Sequence, residues 1–413
     1  MTDTNTSKVS LPNTALTAEL SELIGVVEPA SVAEMIMQRA FHHGVTDVHV
    51  DPTPVGVRIR FRVDGVLQDI LPIPAETAAA VKSRMKVMAG MDITERRIPQ
   101  DGHISSQQFD GIARDIRVSS LSTIYGERIV LRLMPDPNHL NQLEDLGFYD
   151  EQKVVVENLL RAPYGLLLVV GPVGAGKSTT VYSFLRRLNT ADRSILTIED
   201  PVERNIAGAN QIQIDAKHGI NFGTALRGAL RQDPNILAVG EIRDAETAAI
   251  ACRAAMTGVL VLSTLHASNA SMAIEVLKQF DVPRLLIAEV LRGVISQRLM
   301  RRVSSADREA YSPEQATLDQ LGLPSGQQVV RGLPNEKNFQ TGYSGRTAIF
   351  EILSSTPTIQ DAIIKNKSAQ EIQRLAVEEG MSMLEQSARQ QVLDHNTSID
   401  ELQRIIYDTR LQA

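Results

Sequence analysis

The chain has 413 residues, 43% hydrophobic and 22% charged, with a formal net charge of −7. That composition excludes a fibrous, a disulfide-stapled or a wholly disordered chain, and the length predicts two or three domains with separate cores. An acidic balance leaves no overall footprint for phosphate backbones, and no run approaches the roughly 20 apolar residues that span a bilayer.

Residues 1–29 mix Thr, Asn, Ser and Pro and predict a mostly flexible tail, without the basic-then-apolar pattern of an export signal. Ser31 and Glu34 have capping-box spacing and predict a helix from there through Phe41. Two β-rich runs, 57–63 and 66–70, flank Asp64-Gly65 and predict a hairpin. In the first run Val57, Ile59, Phe61 and Val63 share one face. Arg58, Arg60 and Arg62 share the other, which reads more readily as a solvated face than as an anion site. A helix over 75–89 and strand-like runs at 102–109, 112–120 and 127–134 complete an α+β domain with an antiparallel sheet over 30–137. Residues 138–145, in a Pro- and Asn-rich stretch, read as a linker.

From 146 the pattern changes. The runs 166–170, 194–198, 236–239 and 259–264 are continuously apolar and alternate with helical segments. This predicts a parallel α/β sheet with crossover helices over 146–300. Residues 301–413 read as a helical C-terminal domain, interrupted at 323–345 by a Pro-, Gly- and Gln-rich stretch. The single cysteine, Cys252, reads as a small buried hydrophobe, and a reducing cytoplasm is the expected compartment.

Residues 171–178 match the phosphate-loop pattern G-x-x-x-x-G-K-[ST] between an apolar strand and a helix. Gly171, Pro172, Val173, Gly174, Ala175, Gly176, Lys177, Ser178 and Thr179 are therefore the candidate nucleotide-binding residues. Backbone N–H groups of such a loop and the helix N-terminus cradle phosphate oxygens. Lys177 reaches the β- and γ-phosphates and Ser178 coordinates Mg²⁺, so ATP with Mg²⁺ is the expected ligand pair. Two apolar strands end in Glu199 and Glu241, where open parallel sheets bind ligands. Each alone reads more readily as a solvated loop acid; beside one phosphate loop they point to hydrolysis. His266 closes a third strand, either as a structural histidine or as a γ-phosphate sensor.

These motifs resemble those of the secretion ATPase superfamily that powers type II secretion and type IV pilus assembly. The resemblance rests on the Walker A loop at 171–179, the acidic box at 195–203 (ILTIEDPVE), the Walker B segment at 230–244 and the histidine box at 257–266. FRVDG at 61–65, PQDG at 99–102, GERIVLR at 126–132 and GRTAIFE at 345–351 extend it over roughly 30–410. It implies a RecA-like P-loop core, preceded by a PAS-like α+β domain and followed by a helical C-terminal region. It assigns Glu199 as the group activating water, Glu241 as the residue acting through Mg²⁺, and His266 as the histidine-box residue. It adds Arg117 and Arg132 as N-terminal arginines near the phosphates. Many export-type members carry a tetracysteine zinc insertion after the segment matching 295–301; no cysteine follows here, so zinc at that site is excluded.

The resemblance implies a cytoplasmic homohexamer, peripheral on the inner membrane, that works on an inner-membrane platform protein and takes no nucleic acid. The alternatives are a pilus-retraction ATPase, which the Arg-Val-Asp-Gly hairpin resembles less than it does extension members, a nucleic-acid translocase and a non-hydrolysing assembly factor.

Overall fold

The structure, a computed structural model, describes residues 15–24, 26–107, 114–136 and 142–412. It divides into two units, one of residues 1–137, 304–309 and 332–345, the other of 138–303, 310–331 and 346–413.

The first unit contains α1 (Ala15–Ile24), α2 (Pro29–His42), β1 (Asp47–Thr53), β2 (Gly56–Val63), β3 (Val66–Pro74), α3 (Ala75–Met88), β4 (Gln100–Ile104), β5 (Ile116–Thr123) and β6 (Gly126–Leu133). Its six strands run in the order β3-β2-β1-β6-β5-β4, each neighbour antiparallel to the next. Strand alternation sends Val57, Ile59 and Phe61 to the same core as Val48, Val50, Ile129 and Leu131, where they meet Ile36 of α2 and Val81 of α3. Val63 faces Val66 across Asp64 and Gly65, whose φ values of 49° and 87° give the two-residue turn that matches strand twist.

The opposite face is less solvated than the arginine run suggests. Arg60 reaches Asp51 at 2.6 Å, Arg62 reaches Asp47 at 3.4 Å and Arg58 reaches Asp69 at 3.5 Å. From the other side Arg128 meets Asp51 at 2.8 Å and Arg132 meets Asp47 at 3.1 Å. Each β1 aspartate is thus shared by two flanking strands.

The second unit contains α4 (Asp150–Leu160), β7 (Gly165–Val170), α5 (Lys177–Leu188), β8 (Ile195–Glu199), β9 (Asn210–Gln213), α6 (Phe222–Ala229), β10 (Ile236–Val239), α7 (Ala245–Met256), β11 (Leu260–Leu265), α8 (Ala270–Gln279), α9 (Arg284–Val290) and β12 (Leu291–Val303). A short pair, β13 (Arg308–Tyr311) and β14 (Val329–Gly332), flanks α10 (Gln315–Leu321). Then come β15 (Tyr343–Ser354), α11 (Pro357–Ile364), α12 (Ala369–Glu378), α13 (Leu384–Leu393) and α14 (Ile399–Gln412). The seven-stranded sheet has the order β15-β12-β7-β11-β10-β8-β9, and the six strands from β12 to β9 are parallel. In β7, Leu166, Leu168 and Val170 enter one core while Leu167 and Val169 enter another across the sheet. That is why its apolar run is continuous. Cys252 is buried in the first of these cores, and burial pushes its thiol up to about 12.

Several expectations need correction. Of the predicted tail, Ala15–Ile24 is a helix whose Leu16 and Leu20 are buried, because the pair lies one turn apart on one face; residues 1–14 and 25 lie outside the described residues. Helix α2 opens at Pro29, whose fixed φ suits a first helical position, so Ser31 sits inside the first turn and not at the cap. Residues 108–113, which take in the end of one predicted strand run and the start of the next, lie outside the described residues. So do 137–141 of the linker stretch, whereas Leu143–Leu146 form a 3-10 turn with both leucines buried.

The C-terminal region is not a separate helical domain. Its β15 lies beside β12 in the large sheet, and Phe339 is buried in the first unit's core against His43, ring centroids 5.5 Å apart. Among the described residues no helix is long and apolar enough to cross a membrane.

Candidate nucleotide site

Four neighbouring strands, β7, β11, β10 and β8, end on the same edge of the second unit's sheet because all run parallel. Glu199 ends β8 itself, and the segments leaving the other three ends carry Lys177, His266 and Glu241; the lateral order is Lys177, His266, Glu241, Glu199. Strand ends of an open parallel sheet leave backbone groups and side chains convergent on one crevice.

The loop after β7 turns tightly under β12. A Cβ on Gly171 would lie 2.4 Å from the carbonyl oxygen of Gln297, so the approach of the two backbones admits only glycine. Gln297 is fully buried; its amide donates to the Ala175 carbonyl at 2.6 Å and accepts from the Thr180 hydroxyl at 2.8 Å. The loop is therefore held from beneath while Val173 and Gly174 face solvent.

Lys177 opens α5. Its ammonium donates to the Gly171 carbonyl at 2.9 Å and the Pro172 carbonyl at 3.2 Å, and lies 3.5 Å from Nδ1 of His266. Burial is the main cause that lowers its pKa, opposed by Glu241 and reinforced by Arg298. Nε2 of His266 lies 2.7 Å from Oε1 of Glu241, whose Oε2 takes Arg243 at 2.7 Å. Asp244, next in line, caps α7 by accepting the Thr247 N–H at 2.8 Å, a structural role. Ser178 is exposed in the first turn of α5, and Thr179 accepts from Arg204 at 3.4 Å.

Glu199 is buried. Thr197 donates to its Oε1 at 2.5 Å and Gln211 at 3.2 Å, while the Tyr182 hydroxyl donates to Oε2.

A profile of the family described as "Type II/IV secretion system protein" matches residues 24–404. The chain belongs to that family. Among curated members it is similar to a putative type II secretion system protein E of Escherichia coli, 43% identical over 90% of this chain and 75% of that one. It is also similar to the type IV pilus assembly ATPase PilB of Thermus thermophilus, 40% identical over 89% of this chain but only 42% of the relative's length. The type II secretion system protein E of Xanthomonas campestris is 37% identical over 94% of this chain and 69% of its own. Two solved structures share the fold: the pilus retraction motor PilT with bound ADP (TM-score 0.63, 24% identity, 90% of this chain and 96% of that one) and the Legionella pneumophila ATPase DotB (TM-score 0.67, 22% identity, 89% and 93%). These likenesses establish an α/β fold with a parallel-containing sheet.

The other two residues that resemblance to the secretion-system family singles out lie in the first unit. Arg117 and Arg132 face each other in register on β5 and β6 and are exposed. Arg132 is tethered by Asp47; Arg117 has no ion-pair partner among the described residues. Sequence reading missed Tyr182, Thr197, Gln211 and Gln297. Thr197 alone carried a signal, sharing a strand face with Glu199 at a spacing of two.

Proposed function

We propose that the chain is an ATP hydrolase of a type II secretion or type IV pilus-type machine. The observation that carries this reading is the lateral order of Lys177, His266, Glu241 and Glu199 along four adjacent strand ends. A phosphate loop, two acids and a histidine in one row supply the parts that phosphoryl transfer needs.

The residues present fit both expected ligands. The 171–179 loop puts backbone N–H groups and a helix N-terminus together, and Lys177 rests on carbonyls that a phosphate oxygen can replace as its partner. The exposed Ser178 hydroxyl and the Glu241 carboxylate are hard oxygen donors and would hold Mg²⁺. Bound with the nucleotide, Mg²⁺ neutralises charge on the β- and γ-phosphate oxygens. Glu199 accepts the proton of the attacking water, and His266, between Lys177 and Glu241, senses the terminal phosphate. Arg117 and Arg132 add guanidinium charge to the spread-out anionic transition state.

In this reading the protein is a RecA-like motor with a PAS-like N-terminal domain. It works as a cytoplasmic homohexamer, peripheral on the inner membrane, and drives a platform protein there without nucleic acid. No zinc is needed, since the chain holds a single cysteine and that one is buried. Its similarity to proteins named for pilus assembly and type II secretion supports export or extension over retraction.

Light scattering with ATP turnover on the full chain tests the reading. A mass of six copies with Mg²⁺-dependent turnover is expected. Absence of turnover, or full turnover by a monomer, contradicts it.

A further inference from the structure

We propose that Tyr182 is a positioning residue for hydrolysis: its buried hydroxyl fixes Glu199 and the loop behind it in one arrangement that leaves a single acceptor site for the attacking water. The proposal rests on the reading of Glu199 as the water-activating group.

A phenol hydroxyl has one proton to donate and two lone pairs to accept with. Both lone pairs of Tyr182 are filled, by the backbone N–H groups of Glu203 and Arg204, each at 3.1 Å. The proton must then point elsewhere, and Oε2 of Glu199 receives it. Burial, then the Glu199 charge, raises the phenol pKa, so the proton stays on Tyr182. A carboxylate offers about four acceptor sites. Oε1 takes Thr197 and Gln211, and Oε2 takes Tyr182. One site, on Oε2, is left.

Tyr182 stands on α5, whose first residue is Lys177, so the helix that begins at the phosphate loop also holds the base. The 203–204 backbone is fastened to the same hydroxyl. Gln211, which donates to Glu199, also donates to the Arg204 carbonyl at 2.9 Å. The base and its loop are thus one hydrogen-bonded unit anchored on α5.

The charged groups around this unit are Asp200, Glu203 and Arg204 on the loop, and Glu241 and Arg243 at the next strand end. The Arg204 guanidinium lies 5.9 Å from the Tyr182 ring, and Arg243 lies 4.0 Å from Asp200. No lysine, arginine or histidine donates to Glu199 itself among the described residues. A change in the Tyr182 donor therefore falls directly on Glu199.

The test uses the full chain with saturating Mg-ATP, and compares Tyr182→Phe, Glu199→Gln and the double variant. Removing a donor from a carboxylate favours its protonated form. Tyr182→Phe should lower kcat about tenfold at neutral pH, leave the Kd for a fluorescent ATP analogue within about twofold, and move the acid limb of the kcat profile up by about one pH unit. In the Glu199→Gln background the same change should cost nothing further in a single turnover.

Global 3-fluorotyrosine incorporation, which keeps the ring and strengthens the donor, should move the acid limb to lower pH in the wild type and leave the Tyr182→Phe limb in place. This second arm serves if Tyr182→Phe unfolds. An unmoved limb in both arms, or an equal loss of rate with and without Glu199, overturns the proposal and leaves Tyr182 a structural residue. Near-wild-type kcat in Glu199→Gln alone overturns the base assignment, and this proposal with it.

Discussion

Nε2 of His266 lies 2.7 Å from Oε1 of Glu241, the two residues standing just beyond the ends of adjacent parallel strands. The other ring nitrogen lies 3.5 Å from the Lys177 ammonium. With Nε2 donating to the carboxylate, Nδ1 is left to accept from the ammonium, so one tautomer serves both neighbours. Lys177 and Glu241 are therefore joined through one ring.

That arrangement has a consequence for Lys177. Its pKa is lowered, first by burial, so in the nucleotide-free protein its charge opposes folding at neutral pH. The opposition eases as pH rises through the folded value towards the unfolded one near 10.5, because the unfolded chain then binds the extra proton. Lys177→Met should keep the aliphatic stem, leave the nucleotide-free Tm undiminished and reduce kcat by at least about 100-fold. Thermal melts with and without Mg-ATP check this, and the nucleotide-induced rise in Tm should shrink in the variant.

Arg132 gives the opposite dissociation. Its side chain is 68% exposed and its partner Asp47 keeps Arg62 at 3.4 Å, so the fold loses little when it is removed. Arg132→Ala should leave Tm unchanged and lower kcat about tenfold or more with little change in nucleotide Kd, as expected for a contact made in the transition state. Equal effects on Kd and kcat would make it a ground-state contact.

Lys86 and Glu127 form a buried ion pair at 2.8 Å, and Lys86 also donates to the Glu95 carbonyl at 2.8 Å. Lys86→Met strands a carboxylate in the first unit and should cost about 3–5 kcal/mol. Lys86→Met with Glu127→Leu should recover most of that loss. Chemical denaturation of the three proteins measures it, and a double variant no better than the single would show that the Glu95 contact dominates.

The sequence carried the nucleotide site because its determinants are local. A phosphate loop is a contiguous pattern, and Glu199 and Glu241 follow apolar runs too short for helices, which read as buried strands. The strand β12 was illegible for the opposite reason. Arg292, Gln297, Arg298, Arg301 and Arg302 break its apolar pattern, yet Gln297 and Arg298 are buried and Arg301 is clamped by Glu401. The paired arginine face was half legible. Asp47, His49 and Asp51 alternate with Val48 and Val50, which puts them on one face, but only pairing with β2 brings Asp47 to Arg62 and Asp51 to Arg60. Tyr182 was silent, because its role arises where α5 meets the end of β8 and the loop beyond it.

In the proposed reading Glu199 activates water in a site assembled from four strand ends. Single-turnover hydrolysis of Mg-ATP by Glu199→Gln, measured beside Glu241→Gln with Mg²⁺ saturating, decides that role. Glu199→Gln should lose at least about 100-fold in the chemical step, with nucleotide still bound. A rate near wild type, or a lesion milder than that of Glu241→Gln under these conditions, would contradict it.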